Sequence, residues 1–253
     1  MRFIAYTILL CAFLCAPISF AGPNLADSGV KYTKQLGYVA TATAGDDVWV
    51  GDGVYPFQTA AAAITIVSDS SADAAAGTGC RTVYVEGLAS DYDYQAETVT
   101  MNGTNAVTLA NEYLRINRAK CMTVGSGGVN AGVIDVKVSS TVLARMPARM
   151  GLSQQAVYSV PGDTKGSFLE SWDFSVGAST SAQATVGLQI REFGGSWVSL
   201  DSVNGNDTAG VVRKEFGSWM RLPPKSDVRL QVISVGVAIG SRVNGNLEIM
   251  EKP

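Results

Sequence analysis

At 253 residues the chain can bury one large or two medium cores. Only 16% of residues are charged, the net charge is -3, and there is no histidine. Missing basic surplus gives no electrostatic reason to bind nucleic acid, and missing histidine excludes Ser-His-Asp and Cys-His catalysis and His-containing zinc sites.

The first 21 residues carry one positive charge, at Arg2, and an apolar run from Phe3 to Phe20. Ser19-Phe20-Ala21 supplies small residues where a leader peptidase reads, so residues 1–21 are expected to be an export signal or a hydrophobic anchor. Leu10 and Leu14 precede Cys11 and Cys15 where a lipoprotein would carry a small residue. No second segment of membrane length is present beyond it. If the leader is cut, Cys80 and Cys121 are the cysteines left, and an exported chain favours joining them as a disulfide. Both also suit a small core position.

Asn24 to Gly37 reads as a mobile arm or an extended lead-in. Tyr38–Thr43 and Val48–Val50 are short strand candidates around a Gly45-Asp46-Asp47 turn, and Pro56 confines Val54–Phe57 to an edge or loop. The chain is organised around the stretch from Ile64 to Met101. Its apolar run Ile64–Val67 leads into a loop, Ser68 to Gly79, of Ser, Ala, Asp, Gly and Thr. That loop buries little, which predicts a surface loop or one ordered by a partner. Arg81–Leu88 alternates Val83 and Val85 against Thr82, Tyr84 and Glu86, the period of a half-buried strand. An acidic turn, Ala89 to Asp93, a second strand through Thr98–Met101 and the Asn102-Gly103-Thr104 turn complete the unit.

Tyr113–Arg118 and Val133–Val138 repeat the alternation across a glycine-rich connection. From Ser139 to Gln154 the strand signal fades at Arg145, Pro147, Arg149 and Gly151. The second half resumes with Ala156–Val160, Phe168–Phe174, Thr185–Glu192, Trp197–Val203, Val211–Met220, Val228–Val232 and Leu247–Met250. The expectation is an all-β chain: two consecutive antiparallel sandwich or jelly-roll-like domains, residues 38–138 and 155–252, behind the leader.

No catalytic or cofactor site stands out. Gly77-Thr78-Gly79 lacks the lysine and following helix of a phosphate cradle and reads as a tight turn. Asp91, Asp93 and Glu97 are weak calcium candidates without EF-hand spacing. Glu86, Asp91, Glu97, Glu170 and Asp173 are the carboxylates a glycosidase would draw on, but the sequence opposes no two across a cleft. Trp172, Phe174, Trp197, Phe216 and Trp219 fit core or intersubunit packing better than a sugar platform. The sequons at Asn102 and Asn206 are accounted for by turn chemistry.

The segments G-x-G-x-R-T-V at Gly77–Val83, G-L-x-x-x-Y at Gly87–Tyr92, E-T-V-x-x-N-G-T at Glu97–Thr104 and R-I-N-R at Arg115–Arg118 together resemble a family of tailed-phage virion proteins. The likeness covers residues 48–138 well. It reaches the second half only loosely, through VYSVPGDTK and PPKSDVRLQV. It implies a capsid- or tail-associated structural protein without enzymatic activity, located in the virion and packed against other virion proteins. A leader is out of place in a protein assembled in the cytoplasm, and it leaves an exported, periplasmic or cell-surface location open. The alternative is therefore an exported carbohydrate- or surface-binding module that contacts a host-surface glycan. Few charges and several charge-free strand-like stretches (Ala40–Ala44, Ile64–Val67 and Val235–Ile239) predict a homo-oligomer, a trimer first.

Overall fold

The computed structural model describes residues 30–177, 182–236 and 241–252; the leader, with Cys11 and Cys15, lies outside them. The chain is all-β, with no helix among the described residues. In order the strands are β1 (Lys31–Val39), β2 (Ala62–Ser68), β3 (Cys80–Leu88), β4 (Tyr94–Thr100), β5 (Val107–Tyr113), β6 (Arg115–Val124), β7 (Ile134–Val138) and β8 (Thr141–Met146). Then come β9 (Val157–Ser159), β10 (Gly166–Gly177), β11 (Gln183–Arg191), β12 (Val198–Asn206), β13 (Val211–Leu222), β14 (Asp227–Val235) and β15 (Arg242–Lys252). The paired strands run antiparallel.

Two four-stranded sheets, β1-β15-β10-β13 and β12-β11-β14-β9, build one core between them. One sheet supplies Leu169, Trp172, Phe174 and Leu247, the other Val186, Leu188, Val228 and Leu230, all at most 1% exposed. In β10 the inward residues fall three apart at Leu169 and Trp172, then two apart at Phe174 and Val176. The register shifts between Leu169 and Ser171, so Glu170 is an extra residue that restores the same face to the core. Trp172 and Phe174 stack at 5.9 Å.

The second core lies between sheets β5-β2-β7-β8 and β4-β3-β6. Ile64, Ile66, Val83, Val85, Ile134 and Val136 fill it without exposure. Its sheets meet along both flanks. The Glu97 carboxylate on β4 accepts the Ala110 and Asn111 amides of β5, and the Cys121 amide of β6 donates to Gly151 just beyond β8. Cys80 and Cys121, with Cα atoms 5.8 Å apart, are joined as a disulfide between β3 and β6. Closing a loop of 41 residues is worth about 4 kcal/mol in the chain-entropy account.

The loop Ser68 to Gly79 is held by bonds from within the chain. Asp73 is fully buried, and its carboxylate accepts from the Ser68 hydroxyl and from the amides of Cys80, Ala131 and Gly132. Gly79 is required there, because a Cβ would stand 2.1 Å from the Asp73 carboxylate. The Gly77-Thr78-Gly79 turn is therefore packing around an anion that the chain itself supplies.

The chain does not divide into consecutive halves in this structure. Val39, Ala42 and Val48, placed by sequence in the first unit, pack into the core of residues 156–249. Residues 31–39, read as an arm running into a strand, form β1, paired along its whole length with β15. The stretch 139–154, read as a boundary, contains β8, and β5 precedes the strand expected at Tyr113–Arg118. The core of residues 64–146 is thus inserted between β1 and the rest of the other core.

Candidate functional site: a cleft between the two cores

The R-I-N-R strand is where the two cores dock. On β6, Ile116 and Arg118 pair with Gly87 and Glu86 of β3, which leaves Asn117 as an extra residue turned outward. Its amide donates to the Ser159 carbonyl at 2.8 Å and accepts the Ser159 amide at 2.9 Å. Arg115 reaches the same strand ends and grips Asp227 with two bonds, Nε to Oδ1 at 2.9 Å and Nη2 to Oδ2 at 3.0 Å. Its other N–H groups go to the carbonyls of Gln58 and Leu114 and to the Tyr92 hydroxyl. All five donors of the guanidinium are used, as a cation only 5% exposed requires.

Asp227 sits in register between Ser159 of β9 and Arg191 of β11. Ser159 Oγ and Arg191 Nη2 both donate to it. Burial works against its charge, but the bonds from Arg115, Ser159 and Arg191 outweigh burial and hold its carboxyl below the usual range. Asp47 shows the opposite balance. It is fully buried and bonded by Arg229, the Tyr55 amide and Gln231. Burial dominates there and pushes its carboxyl up to about 6.

Aromatic rings run alongside these ions. Trp49, Tyr55, Phe57 and Trp197 succeed one another at centroid spacings of 5.1, 4.8 and 5.2 Å. The Arg191 guanidinium lies 4.8 Å from Phe57 and 4.7 Å from Trp197, and that of Arg229 lies 4.0 Å from Trp197. Tyr92, at φ +73°, closes the G-L-x-x-x-Y turn and meets Phe193 edge-on at 5.5 Å. Gly87 permits that turn to lie against β6, since a Cβ would meet the Arg115 carbonyl at 2.0 Å. Between Tyr92 and Phe193 opens a cleft of about 580 Å³, walled by Phe57, Gln58, Arg115, Arg191 and Asp227.

Few residues singled out from sequence as chemical candidates reach this cleft. Asp91 and Asp93 share an exposed turn, where Asp91 accepts the Asp93 amide. Glu97 spends both oxygens on β5, so the three weak calcium candidates are not brought together. No group of three acids able to hold a metal occurs among the described residues. Glu86 is buried against Lys31, Arg118 and Tyr94, and Asp173 accepts from Asn246. None of the five carboxylates considered for glycoside cleavage lines the cleft. Of the aromatics, Trp172 and Phe174 are core, Trp197 flanks the cleft, and Trp219 is half exposed beside Phe168. Asn206 bonds Thr208 and Ala209 as a turn residue. The residues sequence reasoning missed are Phe57, Gln58, Arg191, Phe193 and Asp227. Arg115 and Tyr92 stood in the motif segments of residues 77–118 and Asp227 in the segment PPKSDVRLQV, which was the signal available.

No protein-family model matches the chain, and no curated protein sequence does. Among solved structures, the PBSX exported protein XepA aligns over 87% of this chain and 86% of that one, at 10% identity and a TM-score of 0.21. The structure of infectious bursal disease virus Gt strain aligns over 88% and 81%, at 11% identity and a TM-score of 0.12. The VP2 subviral particle of infectious bursal disease virus aligns over 89% and 81%, at 11% identity and a TM-score of 0.12. The weak likenesses are thus to an exported protein and to virus particles, and at these scores they carry no argument.

Proposed function

We propose that the protein is a non-catalytic structural component of a virion, acting by packing against copies of itself and against other virion proteins. The observation that carries the reading is an open flank. Among the described residues β12 pairs with β11 alone and β13 with β10 alone, so both sheets of the larger core end in bare edges on one side. Val198, Leu200, Val211 and Trp219 on these strands are 56%, 41%, 65% and 50% exposed. Soluble monomers blunt such edges with charge. β13 does so with Arg213, Lys214 and Glu215, whereas β12 has Asp201 alone.

Because the two edges differ, β12 of one copy can meet β13 of the next in a head-to-tail contact. Where the rotation closes, such contacts make a ring, and a trimer is the first expectation. The virion location rests on the motif resemblance over residues 48–138. Light scattering on the chain without residues 1–21, at micromolar concentration, tests the assembly: a ring of copies is expected, and a stable monomer overturns it. A second reading, an exported module that binds a surface carbohydrate, is favoured by the cleft at Tyr92 and Phe193.

A further inference from the structure

We infer that the cleft between the two cores is a binding site for a carboxylated saccharide. The inference stands on the cleft alone, whether or not the chain assembles. Three unspent groups converge there. Arg191 gives one N–H to Asp227 and has four others without a protein partner among the described residues. Phe57 and Trp197 pack against its guanidinium, so those donors are held in a fixed position. Gln58 lines the cleft, and its side-chain carbonyl, buried within the wall, has no hydrogen-bond partner among the described residues. Phe193 is 67% exposed yet braced edge-on by Tyr92, a rigid apolar platform at the mouth.

Each group fits one part of an acidic sugar. A carboxylate suits the free edge of Arg191, where charge-assisted bonds are the strong ones. The apolar face of the sugar ring lies on Phe193, and a ring hydroxyl reaches Gln58 Oε1 once that side chain turns out of the wall. The charge balance agrees. Among the lining residues Arg115 and Arg191 stand against Asp227 and Glu192, and the Lys225 ammonium lies 5.8 Å from Phe193. Asp227 is already shared by two guanidiniums, so an incoming carboxylate completes a pairing.

The test is calorimetric titration of the chain with trigalacturonic acid, with its fully methyl-esterified form and with sodium acetate. Binding of the acid is expected, with affinity falling as salt rises. The ester is expected to bind at least about tenfold more weakly, a difference of ~1.4 kcal/mol. Arg191→Gln should weaken the acid about tenfold and leave the ester unchanged, and Phe193→Ala should weaken both. Phe193 is exposed, so its variant stays informative if Arg191→Gln fails to fold. Equal binding of acid and ester, acetate binding as tightly as the trisaccharide, or no binding by the folded chain would each overturn the proposal.

Discussion

The two flanks of the larger core are finished in opposite ways. On the β1 and β9 flank, the segments around Val48 and Ala156 fill the gap between sheets. Val48 donates to Leu230, Ala156 to Val48, and Leu230 to Ala156. Beyond them the inserted core docks through Arg115, Asn117 and their partners. On the β12 and β13 flank nothing covers the strands among the described residues. Most polar groups of the first flank have internal partners, and the second keeps its apolar side chains in water. A chain this poor in charge has placed its most buried ion pairs, Arg115–Asp227 and Arg229–Asp47, where it must hold itself together, and on the other flank it charges β13 but leaves β12 with Asp201 alone.

The largest effect in this comparison belongs to the sealed flank. Asp227→Asn leaves Arg115, 5% exposed, without its charge partner while keeping the shape of the site. Removing one partner of a buried pair costs about 3–5 kcal/mol. Urea unfolding should show a loss of that size. Arg115→Met combined with Asp227→Leu should recover part of it, because the two most buried charges then leave together and only the part-exposed Arg191 loses its partner. A loss under about 1 kcal/mol for Asp227→Asn would mean that Asn117 and the aromatic chain hold the junction instead.

A smaller effect comes from Asp47 in the same flank. Its folded pKa of about 6 stands above the ordinary 3.8, so between these values the folded chain binds the extra proton. Stability therefore falls as pH rises from about 4 to about 6, by roughly 2–3 kcal/mol for this group. Glu248 works in the other direction. Burial opposes its charge, yet Lys34, Ser171 and Arg213 hold its pKa at about 2, so its contribution is lost as pH falls below the ordinary 4.5. The melting temperature should peak near pH 4, and Asp47→Asn should abolish the decline from about pH 4 to about pH 6 while leaving the acid limb.

The same division governs how much could be read from the sequence. β3, β11 and β14 show plain alternation and were legible. β1 was not, because its pattern is inverted: Thr33 and Gln35 face inward at 1% and 2% exposure while Tyr32 and Leu36 face water. β8 hides behind Arg145, whose charge is matched by Asp135 on the neighbouring strand. The cleft joins Arg115 to Asp227, 112 residues apart, and no local spacing encodes that pairing. The charge-free stretches misdirect as well. Ile64–Val67 is bare of charge because β2 runs between β5 and β7 inside a sheet, not because it is an open edge. Val235–Ile239 falls partly outside the described residues.

The bare edge is β12, and it sets the smallest effect on stability. Leu200 is 41% exposed at the margin of its sheet, so Leu200→Lys removes little buried surface. Folding stability should move by less than about 0.5 kcal/mol, as for surface substitutions generally. Assembly should respond far more. A lysine on an edge strand must be desolvated for another strand to pair there, and it repels the Arg213 and Lys214 that a head-to-tail neighbour would bring. Light scattering should then show the variant shifted to monomer at concentrations where the unaltered chain forms rings. Lys214→Glu should restore association in the Leu200→Lys background, because the new lysine would then face an acid across the contact. Failure of that rescue with both single variants folded would place the contact elsewhere, at the exposed Trp219 beside Phe168 for instance. Rings unaffected by Leu200→Lys would show that β12 is bare for another reason.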